Sequence, residues 1–425
     1  MNYYNILNAY GIRKIDIKSF HLLSEENECL LFVDLLPNQK FCPYCNESFT
    51  KIKEYKTKTI KVLPIAGKNT FIEYRLPRYY CKHCKKTYTH SLIDTEKSLS
   101  KDLINNIIID FSNMLSFSHI ASKYNITTTQ AISIFDKYCP NLRVPISEAI
   151  CIDEFSNTRK SIDKYACMLV DFKTHKIIDI IKNRTLPYLR EYFHKQPLSL
   201  RDNVKYIITD MYDGYITIAK EFFHNATIAI DPFHYIRYFT DAVQTIRRNL
   251  IKSKPNLIDA SWMGKHWRLL TTNPDNIPNE KMILPSGMTI SYRDRIIKFV
   301  KQNDDLNYAY WLLQNFYTTY KKLNYESATT FIEMIINNML SSSSYELQQC
   351  GLTWLNYKEY IINSFIKYNG VRLSNGPIEG INSRIKTLKK IYCGYRDKTR
   401  FYNRVILIIN KKDEQSFWPP TLQCQ

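Results

Sequence analysis

Residues 148–155, EAICIDEF, form a short apolar run that closes on two acids, and four further runs of the same texture follow it. KYACMLVDF (164–172) and KIIDIIKNR (176–184) are rich in β-branched and apolar residues and are joined through Lys173-Thr174-His175, which reads as a hairpin. LPYLREYFHK (186–195) has helical apolar spacing, VKYIITD (204–210) reads as a buried strand, YDGYITIAKEFF (212–223) as a helix and ATIAID (226–231) as another strand. The order β-β-β-α-β-α-β, three antiparallel strands and then alternating helices and strands, is that of a ribonuclease-H-like α/β fold with helices on both faces of a mixed sheet.

In that order the first and fourth strands are central neighbours. Asp153 ends the first and Asp210 ends the fourth, so their carboxylates are expected to converge. Strand alternation sends Glu154 to the opposite face. Asp213, near Asp210, suits the cap of the next helix. A third acid stands far away in sequence, in LSNGPIEGINSRIKTLKK (373–390). There Glu379 is the only acid between Glu359 and Asp397, an interval that holds seven Lys and Arg. Pro377 suits a first helical position, and Ile378, Ile381, Ile385 and Leu388 form an apolar stripe, so Glu379 falls in a first turn. A negative charge there also suits the helix dipole, but Gly376 stands where a reciprocal capping box needs Ser or Thr. Three converging carboxylates repel one another unless hard cations neutralise them, which points to Mg²⁺ or Mn²⁺, two ions, held by Asp153, Asp210 and Glu379. Arg384, Lys386, Lys389 and Lys390 then suit the backbone of the substrate nucleic acid. Asp231 and His234 in DPFHY end the fifth strand, as a fourth carboxylate with its histidine or as a satisfied polar pair.

Upstream, Cys42-Pro-Tyr-Cys45 and Cys81-Lys-His-Cys84 are separated by 35 residues. Two such pairs complete a closed tetrahedral site, so one structural Zn²⁺ is expected on Cys42, Cys45, Cys81 and Cys84, with His83 and His90 as possible substitutes. TIKVLPI and TFIEYRLPRYY, joined by AGKN, read as a hairpin that returns the second pair to the first. Residues 51–78 carry eight Lys or Arg against two acids, which suits phosphate contact. Next, SFSHIASKYNITTTQAISIFDKY reads as helix, turn at Tyr124-Asn125, and a second helix capped by Thr127 or Thr128. Its core is Ile120, Ala121, Ile126, Ala131, Ile132 and Phe135. As a helix-turn-helix it presents Thr129, Gln130, Ser133 and Lys137 to a DNA groove, although a plain helical hairpin has the same pattern. Residues 233–366 read as mostly helical, broken by TTNPDNIPNEKMILPSG.

Composition fits this reading. The 425 residues carry 59 basic and 40 acidic side chains, a formal charge of +19, and a polyanionic partner is the simplest physical reason for it. No apolar run suits a membrane span and the N-terminus lacks a signal-peptide pattern, so a protein of the cell interior with no membrane partner is expected. Eleven cysteines then argue for metal or buried thiols over disulfides.

On these stretches the chain resembles the ISL-three (ISL3) family of insertion-sequence transposases, which use an Asp-Asp-Glu triad. The resemblance rests on CPYC to YYCKHC, the helix-turn-helix, CIDEFS, IITDMYDGY, AIDPFHYIRY and, most specifically, SNGPIEGINSRIKTLKKIYCGYRDKTRFYNRVIL. It implies that Asp153, Asp210 and Glu379 are the catalytic acids and that Asp231 and His234 form an Asp-x-x-His element. It implies that the DNA-binding modules recognise double-stranded DNA at the terminal inverted repeats, that the enzyme acts on target DNA as a homo-oligomer assembled on DNA, and that it works on the bacterial nucleoid in the cytoplasm. The expected segments are an N-terminal region with the zinc ribbon (1–95), a helix-turn-helix (96–145), the first part of the catalytic domain (146–236), an all-helical insertion (237–366) and the last part with the glutamate helix (367–425). A zinc-containing DNA-binding regulator, or an inactive copy, is the alternative; it leaves the placement of the acids unexplained.

Overall fold

The computed structural model describes residues 3–37, 39–48, 51–89, 95–96, 98–139, 141–157, 164–283, 287–392 and 397–411. The chain forms two compact units, Met1–Leu142 with Leu388–Gln425, and Arg143–Thr387.

The first unit begins with helix α1 (Tyr3–Ala9) and strands β1 (Ile17–Ser24), β2 (Glu28–Leu35), β3 (Lys51–Lys61), β4 (Asn69–Tyr80), β5 (Thr87–Tyr88), β6 (Thr95–Glu96) and β7 (Leu99–Ser100). Their order is β1-β2-β4-β3-β7-β6, with β5 on β4. Strand β4 alternates as a half-buried strand should, sinking Thr70, Ile72, Tyr74 and Leu76 against Leu31, Val33, Ile60 and Val62. The β3–β4 hairpin has the expected turn. Ile65 and Lys68 exchange backbone hydrogen bonds around Ala66 (φ 53°) and Gly67 (φ 78°), the two left-handed residues of a type I′ turn.

Helices α2 (Lys101–Phe111), α3 (Phe117–Lys123) and α4 (Thr128–Tyr138) follow. Each is started by a side chain: Ser100, Ser116 and Thr127 accept from the third residue on, and Thr127 and Gln130 form a capping box. Asn125 turns the chain between α3 and α4 in the left-handed region (φ 48°). Phe111, Phe117 and Phe135 meet edge to face at 5.2 to 5.4 Å around buried Ile120, Ala121 and Ala131. One expected core position moves: Ile134 is buried, and Ile132 is only half-buried because α4 turns its neighbour inward.

The second unit is built on β8 (Ala149–Ser156), β9 (Tyr165–Asp171), β10 (Ile177–Ile181), α5 (Leu186–His194), α6 (Leu198–Asp202), β11 (Tyr206–Thr209), α7 (Asp213–Phe222) and β12 (Thr227–Ile230). The sheet runs β10-β9-β8-β11-β12; β8, β9 and β10 are antiparallel, and β8, β11 and β12 are parallel. Then come α8 (Pro232–Ser253), α9 (Ala260–Lys265), α10 (Tyr292–Val300), α11 (Asp304–Tyr320), α12 (Tyr325–Leu340), α13 (Tyr345–Asn356) and α14 (Lys358–Asn363). Buried Trp354 ties them together, packing on Phe239 and Phe316 and donating its indole N–H to the Tyr235 carbonyl at 3.1 Å. This segment is not all-helical: β13 (Lys281–Ile283) and β14 (Thr289–Ser291) form a hairpin in the Pro-rich stretch. Three-residue strands are too short to show a period. A second hairpin, β15 (Lys367–Tyr368) and β16 (Val371–Arg372), turns on left-handed Asn369 and Gly370. Helix α15 (Gly376–Ile391) buries its expected stripe of Ile378, Ile381, Ile385 and Leu388.

The last described helix, α16 (Lys398–Asn410), belongs to the first unit. Leu407 joins the core of α2, α3 and α4, and fully buried Arg404 donates Nη2 to the Leu115 carbonyl at 2.8 Å beneath the rings of Phe111 and Phe117. Among the described residues, no helix is long and apolar enough to cross a membrane.

Candidate active site and nucleic-acid interface

Strand register places the first acids. Ile152 faces Thr209 across β8–β11, and Thr209 faces Ile230 across β11–β12. One step further along these parallel strands come Asp153, Asp210 and Asp231, a row of carboxyl residues at adjoining carboxyl ends. The Asp231 N–H donates to the Thr209 carbonyl at 2.8 Å, which continues the ladder into the row. Asp210 is held by the Tyr212 N–H on Oδ1 at 3.1 Å. Asp213 does not cap α7 with its side chain; it accepts from the Tyr357 hydroxyl.

Alternation misplaces Glu154. Its carboxylate lies with those of Asp153 and Asp210, the three within 4.8 Å of one another. Two contacts explain how a neighbouring residue reaches the same place. Asp153 Oδ1 folds back along the strand to accept the Glu154 N–H at 2.7 Å, and the longer Glu154 side chain is drawn over by Arg184 at 2.8 Å and the Tyr215 hydroxyl at 3.4 Å. Arg184 is itself stacked on Tyr165 and Tyr212. Strand and helix periodicity assign no site role to Glu154, Arg184 or Tyr215; the adjacent acids Asp153-Glu154 are the one signal of them in the sequence.

Helix α15 is fastened to the same strand ends. Asn375 donates its backbone N–H to Asp231 Oδ1 at 2.7 Å and its side-chain amide to the Ile152 carbonyl at 3.3 Å. Two turns beyond Asn375, Asn382 donates to Asp153 Oδ2 at 3.3 Å and to the Glu154 carbonyl at 3.4 Å. Glu379 lies between these two asparagines in sequence, in the first turn of α15. Glu379 is exposed, its charge is felt at Asp231, and it stands outside the 4.8 Å cluster, as does Asp231.

The electrostatics follow from crowding. Burial pushes the Asp153 carboxyl up to about 7, with the charges of Asp210, Glu154 and Asp231 adding to it. Asp210 is raised by burial and by Glu154, against the opposing effect of His234. Asp231 is raised by burial, opposed by the Asn375 N–H and by His234. Such a group of acids fits a hard divalent cation. Carboxylate oxygens are its proper donors, and Asn382 Oδ1 is a further oxygen, buried and without a hydrogen-bond partner, on a side chain fixed to Asp153.

The cysteines form a second centre. Cys42, Cys45, Cys81 and Cys84 lie within 4.8 Å of one another, with Cys42–Cys84 and Cys45–Cys81 sulfur pairs at 3.6 Å. Sulfurs sharing a tetrahedral zinc at 2.3 Å stand about 3.8 Å apart, so the four fit that ion. The two loops are built alike. Cys42 N–H bonds to the Glu47 carbonyl and Cys81 N–H to the Lys86 carbonyl, and each pair is followed by a left-handed residue, Asn46 (φ 59°) and Lys85 (φ 57°). The backbone N–H groups of Cys84 and His83, with neighbouring thiols, hold Cys81 down at about 7, ready to bind as thiolate. His83 is not among the clustered ligands, and His90 lies outside the described residues.

On α4, Thr129, Gln130, Ser133 and Lys137 are exposed and line one cavity of about 220 Å³ together with Leu99 and Ile104. Gln130 has a prior commitment, because its Oε1 accepts the Thr127 N–H in the capping box at 2.9 Å. On α15, Lys386 and Lys390 share the exposed face of Glu379, seven and eleven residues on, whereas Arg384 and Lys389 are half-buried beside the apolar stripe.

A family profile described as a transposase, of the DDE ISL3 type, matches residues 150–405. A second, described as the zinc finger of the transposases of IS204, IS1001, IS1096 and IS1165, matches residues 39–84 and contains the four cysteines. Among curated proteins, the chain is 20% identical over 419 residues to the transposase for insertion sequence element IS1001 of Bordetella parapertussis, covering 93% of this chain and 94% of that one.

Proposed function

This chain belongs to the ISL3 family of transposases, and from that premise we propose that it is a DNA transposase that binds the terminal inverted repeats of an insertion sequence and cuts and joins DNA strands with Asp153, Asp210 and Glu379. The observation that carries the reading is the register row at the ends of β8, β11 and β12, to which Asn375 and Asn382 tie the helix that bears Glu379. The strand order β10-β9-β8-β11-β12 supports a ribonuclease-H-like core over 146–236, interrupted by the largely helical 237–366 and resumed at 367.

Asp153, Asp210 and Glu379 would hold the divalent cations, two Mg²⁺ or Mn²⁺ in our reading, which would supply activation of an attacking oxygen and stabilisation of the leaving one at a phosphodiester. The chain supplies the rest. Asp153 and Asp210 present fixed carboxylates on a rigid sheet, Glu379 approaches from the exposed start of α15, and Asp231 holds Asn375 and so sets where that helix begins. His234, beside Asp210 and Asp231, is an auxiliary group. Lys386 and Lys390 on the Glu379 face, flanked by Arg384 and Lys389, suit the phosphates on either side of the cut. Water attack frees a 3′-hydroxyl, and attack of that hydroxyl on target DNA is a second displacement at the same acids, so no covalent protein intermediate is needed.

DNA recognition falls to the first unit. The ribbon holds one structural Zn²⁺ on Cys42, Cys45, Cys81 and Cys84, and α4 offers Thr129, Ser133 and Lys137 to a groove, with Gln130 also capping its own helix. The acting species is a homo-oligomer on DNA, at the bacterial nucleoid. Strand cleavage of a labelled duplex bearing the element's ends, with Mg²⁺ or Mn²⁺, tests the reading. Wild type should cut and Glu379→Gln should bind without cutting; binding without cutting by both identifies a regulator or an inactive copy.

A further inference from the structure

Among the described residues, the carboxylates that gather within 4.8 Å of one another are those of Asp153, Glu154 and Asp210, with Glu379 outside the group. We infer that Glu154 is a further ligand of the divalent-cation centre, held ready by Arg184, so that the protein binds a first cation through Asp153, Glu154 and Asp210 before DNA is present. The inference rests on the metal-dependent reading above and adds a residue that the Asp-Asp-Glu triad does not contain.

The geometry favours it. In an octahedral site with 2.1 Å bonds, opposite oxygens stand about 4.2 Å apart. One oxygen from each of the three carboxylates already lies within 4.8 Å of the other two, so side-chain movement alone brings them around one ion, whose adjacent ligand oxygens stand about 3.0 Å apart. Structural ion pairing with Arg184 explains only part of Glu154. A carboxylate whose sole duty was that pair would gain nothing from standing beside Asp153 and Asp210, where like charges repel it. Arg184 cannot follow a departing Glu154, because its guanidinium is stacked between Tyr165 at 4.7 Å and Tyr212 at 4.6 Å. Asn382 adds an independent sign: its nitrogen is fixed on Asp153 Oδ2 and on the Glu154 backbone carbonyl, and its Oδ1 is buried and without a hydrogen-bond partner.

Titration of the DNA-free, zinc-loaded full-length chain with Mn²⁺, followed by the electron paramagnetic resonance of free ion, tests this without any turnover. Glu154→Gln should weaken the tightest Mn²⁺ site at least tenfold. Glu154→Asp, which keeps the charge but shortens the reach by one carbon, should also weaken it several-fold, as a direct ligand requires and a remote charge does not. Thermal unfolding checks that both variants are folded. Tight binding unchanged within threefold in Glu154→Gln, or fully retained in Glu154→Asp, overturns the inference. Asp153→Asn binding Mn²⁺ as tightly as wild type overturns the metal-dependent reading itself, so the two failures are distinguishable.

Discussion

Asp153 sits where protonation relieves crowding, and this gives the protein a pH dependence of known sign. Its carboxyl lies at about 7 in the folded chain, against about 3.9 in an unfolded one, so folding takes up a proton between these values. The stabilisation by that proton is full near pH 4 and is lost as pH rises through 7. Without Mg²⁺, Asp153→Asn should therefore stabilise the protein at pH 8 by about 2 kcal/mol and do nothing at pH 4, as read by denaturant unfolding of both chains across that range. Saturating Mg²⁺ should stabilise wild type and not the variant. Gly214 is a quieter constraint. A Cβ there would lie 2.4 Å from the Tyr212 ring, which Arg184 and Tyr215 hold in place, and the Tyr212 N–H anchors Asp210. Gly214→Ala should cost about 1 to 3 kcal/mol of stability, measured by thermal unfolding, and lower cleavage by shifting Asp210. Asp153 and Asp210 were legible because an acid directly closes an apolar strand. Glu154 was not, since pleat alternation governs where Cβ points and not where a long side chain ends.

Turns and caps decide how the DNA-binding elements are held. Ala66 occupies a left-handed position at a cost that Asn avoids, and Asn-Gly is the preferred type I′ pair. Ala66→Asn should stabilise the β3–β4 hairpin, and with it the zinc loops at its far end, by about 0.5 to 1 kcal/mol in chemical unfolding. Thr127→Ala removes the capping box of α4 and should cost about 1 kcal/mol. It should also weaken binding of end DNA in a gel-shift assay, by fraying the turn that carries Thr129. The zinc ribbon and the two helices were legible, because paired cysteines and a Thr-x-x-Gln cap are local signals. The β15–β16 hairpin also had one, Asn369-Gly370, but strands of two residues give no period to set it against.

Burial of Arg404 shows how the end of the chain serves its beginning. The side chain is fully buried, bonds to carbonyls before α3 and lies under two rings of the helical core, so Arg404→Ala should cost about 3 kcal/mol through lost packing and orphaned carbonyls. In the full chain, binding of end DNA should fail at a lower temperature while Mn²⁺ binding in the second unit persists. With a charge of +19, DNA binding should also be steeply salt-dependent; about six phosphate contacts would lose about a thousandfold between 50 and 200 mM salt, read by fluorescence anisotropy. Sequence alone determined what short-range physics encodes: the strands and their closing acids, the cysteine pairs, the capped helices, the lone Glu379 in a first turn. The tertiary structure decided what depends on contacts between distant segments. It brought Glu154 beside Asp153 and Asp210, made Asn375 and Asn382 the fastening of α15, left Glu379 outside the tight cluster, and returned α16 to the helical core of the first unit. Apolar periodicity tells which face of an element is buried; which partner covers that face is fixed only when the whole chain has folded.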